Sequence, residues 1–292
     1  MTRKIIFSLF FIALIGVVAL KAYSPENVML SYEANYHTNE AQIYISESEL
    51  RKSAEKGDMF AQNEMGVLYE KSKNHTKAVY WYNQSAVQGY ALAQFNIGVA
   101  FEKGRGISRN LQEAYKWYRK AAEQGNPKAA FNLGMLYFDG RGVVKNYEKA
   151  HKWFIQSALR NNSRAMYAIG RLYHYGLGVT KDSKQAVVWY QKAVDQGSMS
   201  AKNSLALFYG QGVGHIHPDR FKALELLKSS ACQGYSMAQK NLGILYKDGT
   251  DELPADYKLA FAWFAVAYFN GQNDVLNLQN DIAKKMQLQE LD

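Results

Sequence analysis

The sequence predicts an all-α chain: an α/α superhelical solenoid of about six helix-turn-helix repeats closed by a C-terminal capping helix. Three observations carry that expectation. Trp81 is followed by Trp117, Trp153 and Trp189, each 36 residues further on, and by Trp263 after a unit in which Leu226 takes the place. Two apolar stripes of helical period recur in every unit. The chain has only 4 prolines in 292 residues (Pro25, Pro127, Pro218 and Pro254), and none falls inside a helical pattern. A fixed period of this size marks an array whose units bury their apolar faces only against their neighbours.

Composition narrows the choices further. A hydrophobic content of 48% with 14% aromatic residues is ample for burial and excludes wholesale disorder. The formal charge of +9 falls to about +6 once Arg3, Lys4 and Lys21 near the amino terminus are set aside. No run of five or six basic residues occurs, so nucleic acid is not an expected partner.

From the amino terminus, residues 1–22 read as a signal peptide. Thr2-Arg3-Lys4 is a positive start, Ile5 to Leu20 is a 16-residue apolar stretch, and Val17-Val18-Ala19 or Leu20-Lys21-Ala22 offers a cleavage site. The expected location is therefore periplasmic or secreted. The alternative is an uncleaved segment that anchors the protein at the inner membrane, the only case in which a membrane contact is expected. Residues 23–48 show no repeat and read as an N-terminal linker.

The repeats span residues 49–272. Leu50–Asp58 is a half unit that echoes Tyr118–Asn126, and full units start at about 59, 91, 127, 163, 199 and 236. The first is short, because Glu70–His75 stands where the others have a longer glycine-containing loop. In each second helix, positions such as Ala114, Trp117, Tyr118, Ala121 and Ala122 form one stripe; in each first helix, Ala129, Leu133, Gly134, Leu136 and Tyr137 trace another. The inner glycine recurs as Gly66, Gly98, Gly134, Gly170 and Gly243, with Ala206 standing in once. A glycine inside a helix costs about 1 kcal/mol relative to alanine, so close approach against the bulky tryptophan is the expected reason. Gly57, Gly89, Gly125, Gly197, Gly234 and Gly271, with Asn161 in the same slot, are expected to end the second helices in the left-handed conformation. Residues 273–292, with Leu278, Ile282, Met286 and Leu291 on one face, are the expected capping helix.

Few residues suggest chemistry. The Gly-x-Gly pairs of Asp139–Val143 and Tyr175–Val179 follow a helix rather than a strand and read as turns, not as a phosphate cradle. His215, His217 and Asp219 in the enlarged fifth loop have the residue types of a metal site, but an ordinary exposed loop is the expectation. His151 and His174 fall at ordinary repeat positions. Cys232, the only cysteine, is expected to be a small buried residue at the place of Ala122, Leu159 and Val194. No catalytic residue, metal ligand or cofactor is assigned, and Gly-x-Ser-x-Gly does not occur. The asparagines Asn63, Asn96, Asn132 and Asn241 precede the inner glycine, and Ala168 and Ser204 break the series. An amide both donates and accepts, so Asn96, Asn132 and Asn241 are the candidate partner-binding residues; bonding to a neighbouring repeat is the competing role.

The composite Ala-x-x-x-Leu-Gly-x-Leu-Tyr, Gly-x-Gly-Val and Lys-Ala-x-x-Trp-Tyr-x-Lys-Ala-Ala-x-Gln-Gly resembles the Sel-one-like repeat, a relative of the tetratricopeptide repeat, over roughly residues 50–272. The resemblance implies an exported, non-catalytic scaffold for protein-protein interactions in the cell envelope or outside the cell. A protein or peptide partner on the concave face, or an envelope component, is implied with it. Cysteine-rich relatives linked to β-lactam binding carry paired cysteines in each repeat, which this chain lacks. A peptidoglycan- or glycan-binding module, or an auxiliary of a cell-wall enzyme, is the alternative, and a hydrolase ranks last.

Overall fold

A computed structural model describes residues 27–29, 44–213, 216–249 and 253–289. The segment 1–22 read as a signal, His215 and Leu291 lie outside the described residues. Two short strands, β1 (Asn27–Met29) and β2 (Tyr44–Ser46), pair antiparallel within the stretch read as a linker, with Val28 opposite Ile45. Helices carry the rest. No helix among the described residues is long and apolar enough to cross a membrane.

Helix α1 (Glu47–Glu55) is the half unit. Ser46 opens it with a capping box: Glu49 N donates to Ser46 Oγ at 3.2 Å, and Ser46 N donates to Glu49 Oε2 at 3.0 Å. Six helix pairs follow: α2 (Met59–Lys71) with α3 (His75–Val87), α4 (Ala91–Lys103) with α5 (Leu111–Glu123), α6 (Pro127–Asp139) with α7 (Tyr147–Ala158), α8 (Ser163–Tyr175) with α9 (Ser183–Asp195), α10 (Met199–Gln211) with α11 (Arg220–Cys232), and α12 (Ser236–Asp248) with α13 (Tyr257–Phe269). A 3₁₀ turn at Asn273–Val275 leads into α14 (Leu276–Gln289). The second helices open on Asn74, Asn110, Asn146, Asp182, Asp219 and Asp256, whose side chains accept from first-turn amides. They close at left-handed residues such as Gly125 (φ 87°), and Asn161 (φ 59°) takes that slot once.

The chain divides into two compact units: residues to Ala129 with Arg141–Val143, and Ala130–Gly140 with the chain from Val144. In the first, Leu50, Ala54, Ala61 and Met65 form one core cluster, with Trp81 against it; Ala78, Tyr82, Ala86, Ala93 and Ile97 form the next, with Trp117 against it. In the second, Ala186, Val187, Tyr190, Leu205 and Phe208 cluster together, and a last cluster runs from Ala206 to Ile282. Val275 and Ile282 are fully buried there, with Leu278 and Met286 packed alongside, so α14 covers the apolar face that α13 presents.

The close approach at the inner glycine is real, but its partner is not the tryptophan. A Cβ on Gly98, Gly134, Gly170 or Gly243 would stand 2.5 to 2.7 Å from the ring of Tyr118, Phe154, Tyr190 or Phe264, and one on Gly66 would meet Tyr82. In each case the ring belongs to the residue after the tryptophan. Those rings are buried, whereas all five tryptophans are only half-buried, and Lys120 and Lys192 lie over Trp117 and Trp189 at 4.4 and 4.3 Å. The fifth repeat explains itself in the same terms. Leu227 replaces the ring, which leaves room for the methyl group of Ala206, and both side chains are buried in one cluster.

Cys232 also departs from expectation, because it is exposed. It lies six residues after Leu226, the register of Glu123, Leu159 and Asp195 after their tryptophans; Ala231 holds the buried place instead.

Candidate functional site

The first helices carry the amides singled out above. Asn96 Nδ2 donates to Asn63 Oδ1 at 3.0 Å, and Asn241 Nδ2 donates to Asn203 Oδ1 at 2.8 Å. Donor and acceptor are one position out of register: Asn96 and Asn241 sit two residues before their glycine, Asn63 and Asn203 three residues before Gly66 and Ala206. That offset lets one repeat reach back to the one before it. Asn132 is different. It is half-buried and makes no hydrogen bond among the described residues, and the matching position one repeat earlier is Phe95, which has no polar group. Two of the three candidate amides are thus bonded between repeats and the third is uncommitted.

A polar trio sits where first helix, second helix and loop meet. Glu102 is buried; Tyr118 Oη donates to its Oε2 at 2.6 Å and Arg141 Nη1 to its Oε1 at 2.7 Å. Burial pushes this carboxyl up, but the tyrosine hydrogen bond and the arginine outweigh it and hold the group below the usual carboxylate range. Arg141 is aimed there by its loop, in which Gly142 packs so closely on Leu111 that a Cβ would stand 2.6 Å from the Leu111 side chain. The paired glycines are therefore backbone-contact residues, in keeping with turns.

In the second unit, His174 stacks on Tyr175 (4.3 Å between centroids, 8° between planes), meets Phe208 edge-on at 4.8 Å, and brings Nδ1 to 3.4 Å from Tyr190 Oη. Burial, then Lys181 and Arg171, push its imidazole below the ordinary value. His151 lies edge-on to Tyr173 with its buried Nε2 lacking a hydrogen-bond partner, and burial lowers it too. Both histidines take up a proton less readily in the fold than in the unfolded chain, where they titrate near pH 6.5. Stability is expected to fall as pH drops from about 6.5 towards the depressed folded values and to level off below them. Thermal melts at pH 7 and pH 5.5 test this: His174→Phe should lose less between the two than the parent, and equal losses would refute it.

His217 is exposed, and Asp219 serves as a helix cap, accepting from Lys222 N at 2.8 Å. Among the described residues no group of three or more His, Cys, Asp or Glu side chains is arranged to hold a metal ion.

The repeat pattern now has independent support. The Sel1 repeat family matches residues 60–90, 91–126, 127–162, 163–198, 200–235 and 236–272. The chain belongs to the Sel1 repeat family. A Sel1 repeat protein from Oxalobacter formigenes is 32% identical, with 78% of this chain and 90% of that one covered and a TM-score of 0.71. Immunity protein PA5088 from Pseudomonas aeruginosa is 18% identical over 74% of this chain and 86% of that one, with a TM-score of 0.50, and shares the fold. A protective antigen from uropathogenic Escherichia coli that displays the same repeat fold is 26% identical over 82% of this chain and 59% of that one, with a TM-score of 0.45. No curated protein matches the chain.

Sel1 repeats are generally protein-interaction scaffolds and typically non-catalytic. In this Sel1 repeat protein the units are also tied by buried glutamines that sequence reading passed over. Gln62, Gln94 and Gln239 donate to Ala54 O, Ala86 O and Ala231 O at 3.0 to 3.2 Å. Each then accepts through Oε1 from the residue ending the next second helix, Gln88, Gln124 or Asn270, at 2.7 to 3.0 Å. Each clamp adds a second donor to a helix-end carbonyl that already accepts from the closing glycine. The only sequence signal was a glutamine four residues before the inner glycine, present in three repeats of six.

Proposed function

We propose that the chain is an exported, non-catalytic scaffold that holds a protein or peptide partner through its first helices. One recurring pairing supports the reading. A hydrogen-bonding residue two before the inner position is followed, three residues on, by an apolar side chain that keeps some exposure: Asn96 with Val99, Asn132 with Met135, Ser204 with Leu207, Asn241 with Ile244. Residues three apart share a helix face. Leu207 is 41% exposed, a high value for a leucine inside a repeat. Amides suit a peptide backbone, and apolar neighbours suit its side chains. On α5, Glu113 pairs with Lys116 at 2.6 Å and Arg119 with Glu123 at 3.0 Å, a solvated face.

The test is capture of a protein partner by the full chain, repeated with asparagine variants. Asn132→Ala is expected to weaken capture about tenfold while leaving stability within about 0.5 kcal/mol, since its amide bonds to no other repeat. Asn96→Ala should cost about 1 kcal/mol of stability, because it leaves Asn63 without its donor. Retention of purified peptidoglycan with no protein recovered would replace this reading with the glycan-binding one.

A further inference from the structure

In the first repeat, Tyr82, Glu70 and Arg105 hold the positions that Tyr118, Glu102 and Arg141 hold in the second, yet the two trios are built differently. The second is closed by the short bonds described above. In the first, Glu70 turns aside: its Oε2 lies 2.9 Å from His75 Nδ1, while Arg105 Nη1 stands off at 3.4 Å from Oε1. Arg105 stays at the rim, its side chain 56% exposed against 35% for Arg141. The cause is written in the sequence. The shortened first loop starts α3 at His75, five residues after Glu70, whereas α5 starts at Leu111, nine residues after Glu102.

The result is an opening. A cavity of about 80 Å³ is lined by Glu70, Tyr82, Asn96, Val99, Ala100 and Arg105. A single water needs only about 10–15 Å³ of such space, so there is room for a polar side-chain head. Tyr82 is 6% exposed overall and makes no hydrogen bond among the described residues, and its hydroxyl is not among the fully buried polar atoms without a partner, so the oxygen keeps some access to solvent. An accessible hydroxyl that bonds no protein group is open to a partner from outside. The other polar groups are two acceptors, the Glu70 carboxylate and Asn96 Oδ1, whose amide nitrogen is already donating to Asn63, and one donor, the Arg105 guanidinium, which reaches Glu70 only at 3.4 Å. Burial first, then the charges of Glu70 and Glu64, push the Tyr82 hydroxyl up.

We propose that this cleft is a binding slot for a guanidinium group presented from outside, the arginine side chain of a partner segment, seated on Glu70 beside Tyr82 as Arg141 is seated on Glu102. The planar fork of arginine spans a carboxylate and a neighbouring hydroxyl better than the point charge of lysine. The origin of the arginine rests on the scaffold reading; the chemistry of the slot does not.

The test uses the full chain labelled with ¹³Cζ-tyrosine, with the two resonances assigned from Tyr82→Phe and Tyr118→Phe. Titration with N-acetyl-arginine methylamide at millimolar concentration should move the Tyr82 resonance saturably and leave Tyr118 in place. The lysine analogue should bind more weakly, and Glu70→Gln should weaken the arginine probe about tenfold. A Tyr82 resonance that stays put, that follows N-acetyl-glutamate methylamide equally, or that titrates unchanged in Glu70→Gln would overturn the slot. If the capped arginine binds while no protein is captured, the slot stands for a free small cation and only the scaffold reading fails. A captured partner that leaves Tyr82 unmoved, with the capped arginine also inert, sinks the slot and spares the scaffold.

Discussion

Gly134→Ala is expected to destabilise the protein by about 2 kcal/mol, although alanine is the better helix former by about 1 kcal/mol. The added methyl group would stand 2.5 Å from the Phe154 ring and 3.3 Å from the Ala150 carbonyl oxygen. The ring cannot swing clear, because Phe154 is fully buried and packed against Phe131 (5.7 Å) and Phe138 (6.4 Å). Phe154→Leu alone should cost about 1–2 kcal/mol through lost contacts and a cavity. Together the two changes recreate the Ala206–Leu227 pairing of the fifth repeat, so the double variant should be more stable than the sum predicts by about 1–2 kcal/mol. Urea unfolding followed by circular dichroism and by tryptophan fluorescence checks this, the coincidence of the two guarding against partial unfolding of the array. Strict additivity would mean that glycine and ring are not in contact.

Glu102→Ala is the second large effect, a loss of about 3 kcal/mol. It removes the acceptor of the fully buried Tyr118 hydroxyl and the counter-charge of Arg141 together. Glu102→Gln keeps an acceptor for Tyr118 and should lose about half as much. The same carboxylate imposes a pH dependence. Its folded value lies below the usual carboxylate range, so its contribution is full above the unfolded value near pH 4.5 and is lost as pH falls through the lower folded one. A parent protein that weakens in acid no faster than Glu102→Gln, in melts between pH 5 and pH 3, would exclude this role. The histidine effect acts at higher pH, so the two separate in one pH series.

The array was legible because every level repeated: the 36-residue spacing, the apolar stripes and the closing glycines all point to one packing solution. What escaped was contact across helices. Trp153 and Phe154 are neighbours on one helix, both large and aromatic, and only the crossing of α6 and α7 decides that Phe154 faces Gly134. Cys232 was misplaced by a single position, which on a helix is about 100° and separates buried Ala231 from solvent. At the candidate site, the asparagines were visible but their offset was not. Asn63 was read in line with Asn96, yet it lies one position earlier, and that step makes their bond possible. The Glu102 trio joins residues 16 and 39 positions apart, a separation no local pattern reports.

Photo-crosslinking in cells asks whether the first helices hold a partner. A benzophenone amino acid replaces Asn132 or Met135 on α6 in one set of chains, and Arg119 or Lys120 on the solvated side of α5 in another. One protein adduct shared by the α6 positions and absent from the α5 positions is the expected result. Adducts only from Arg119 and Lys120, or none from any position across growth conditions, would contradict it.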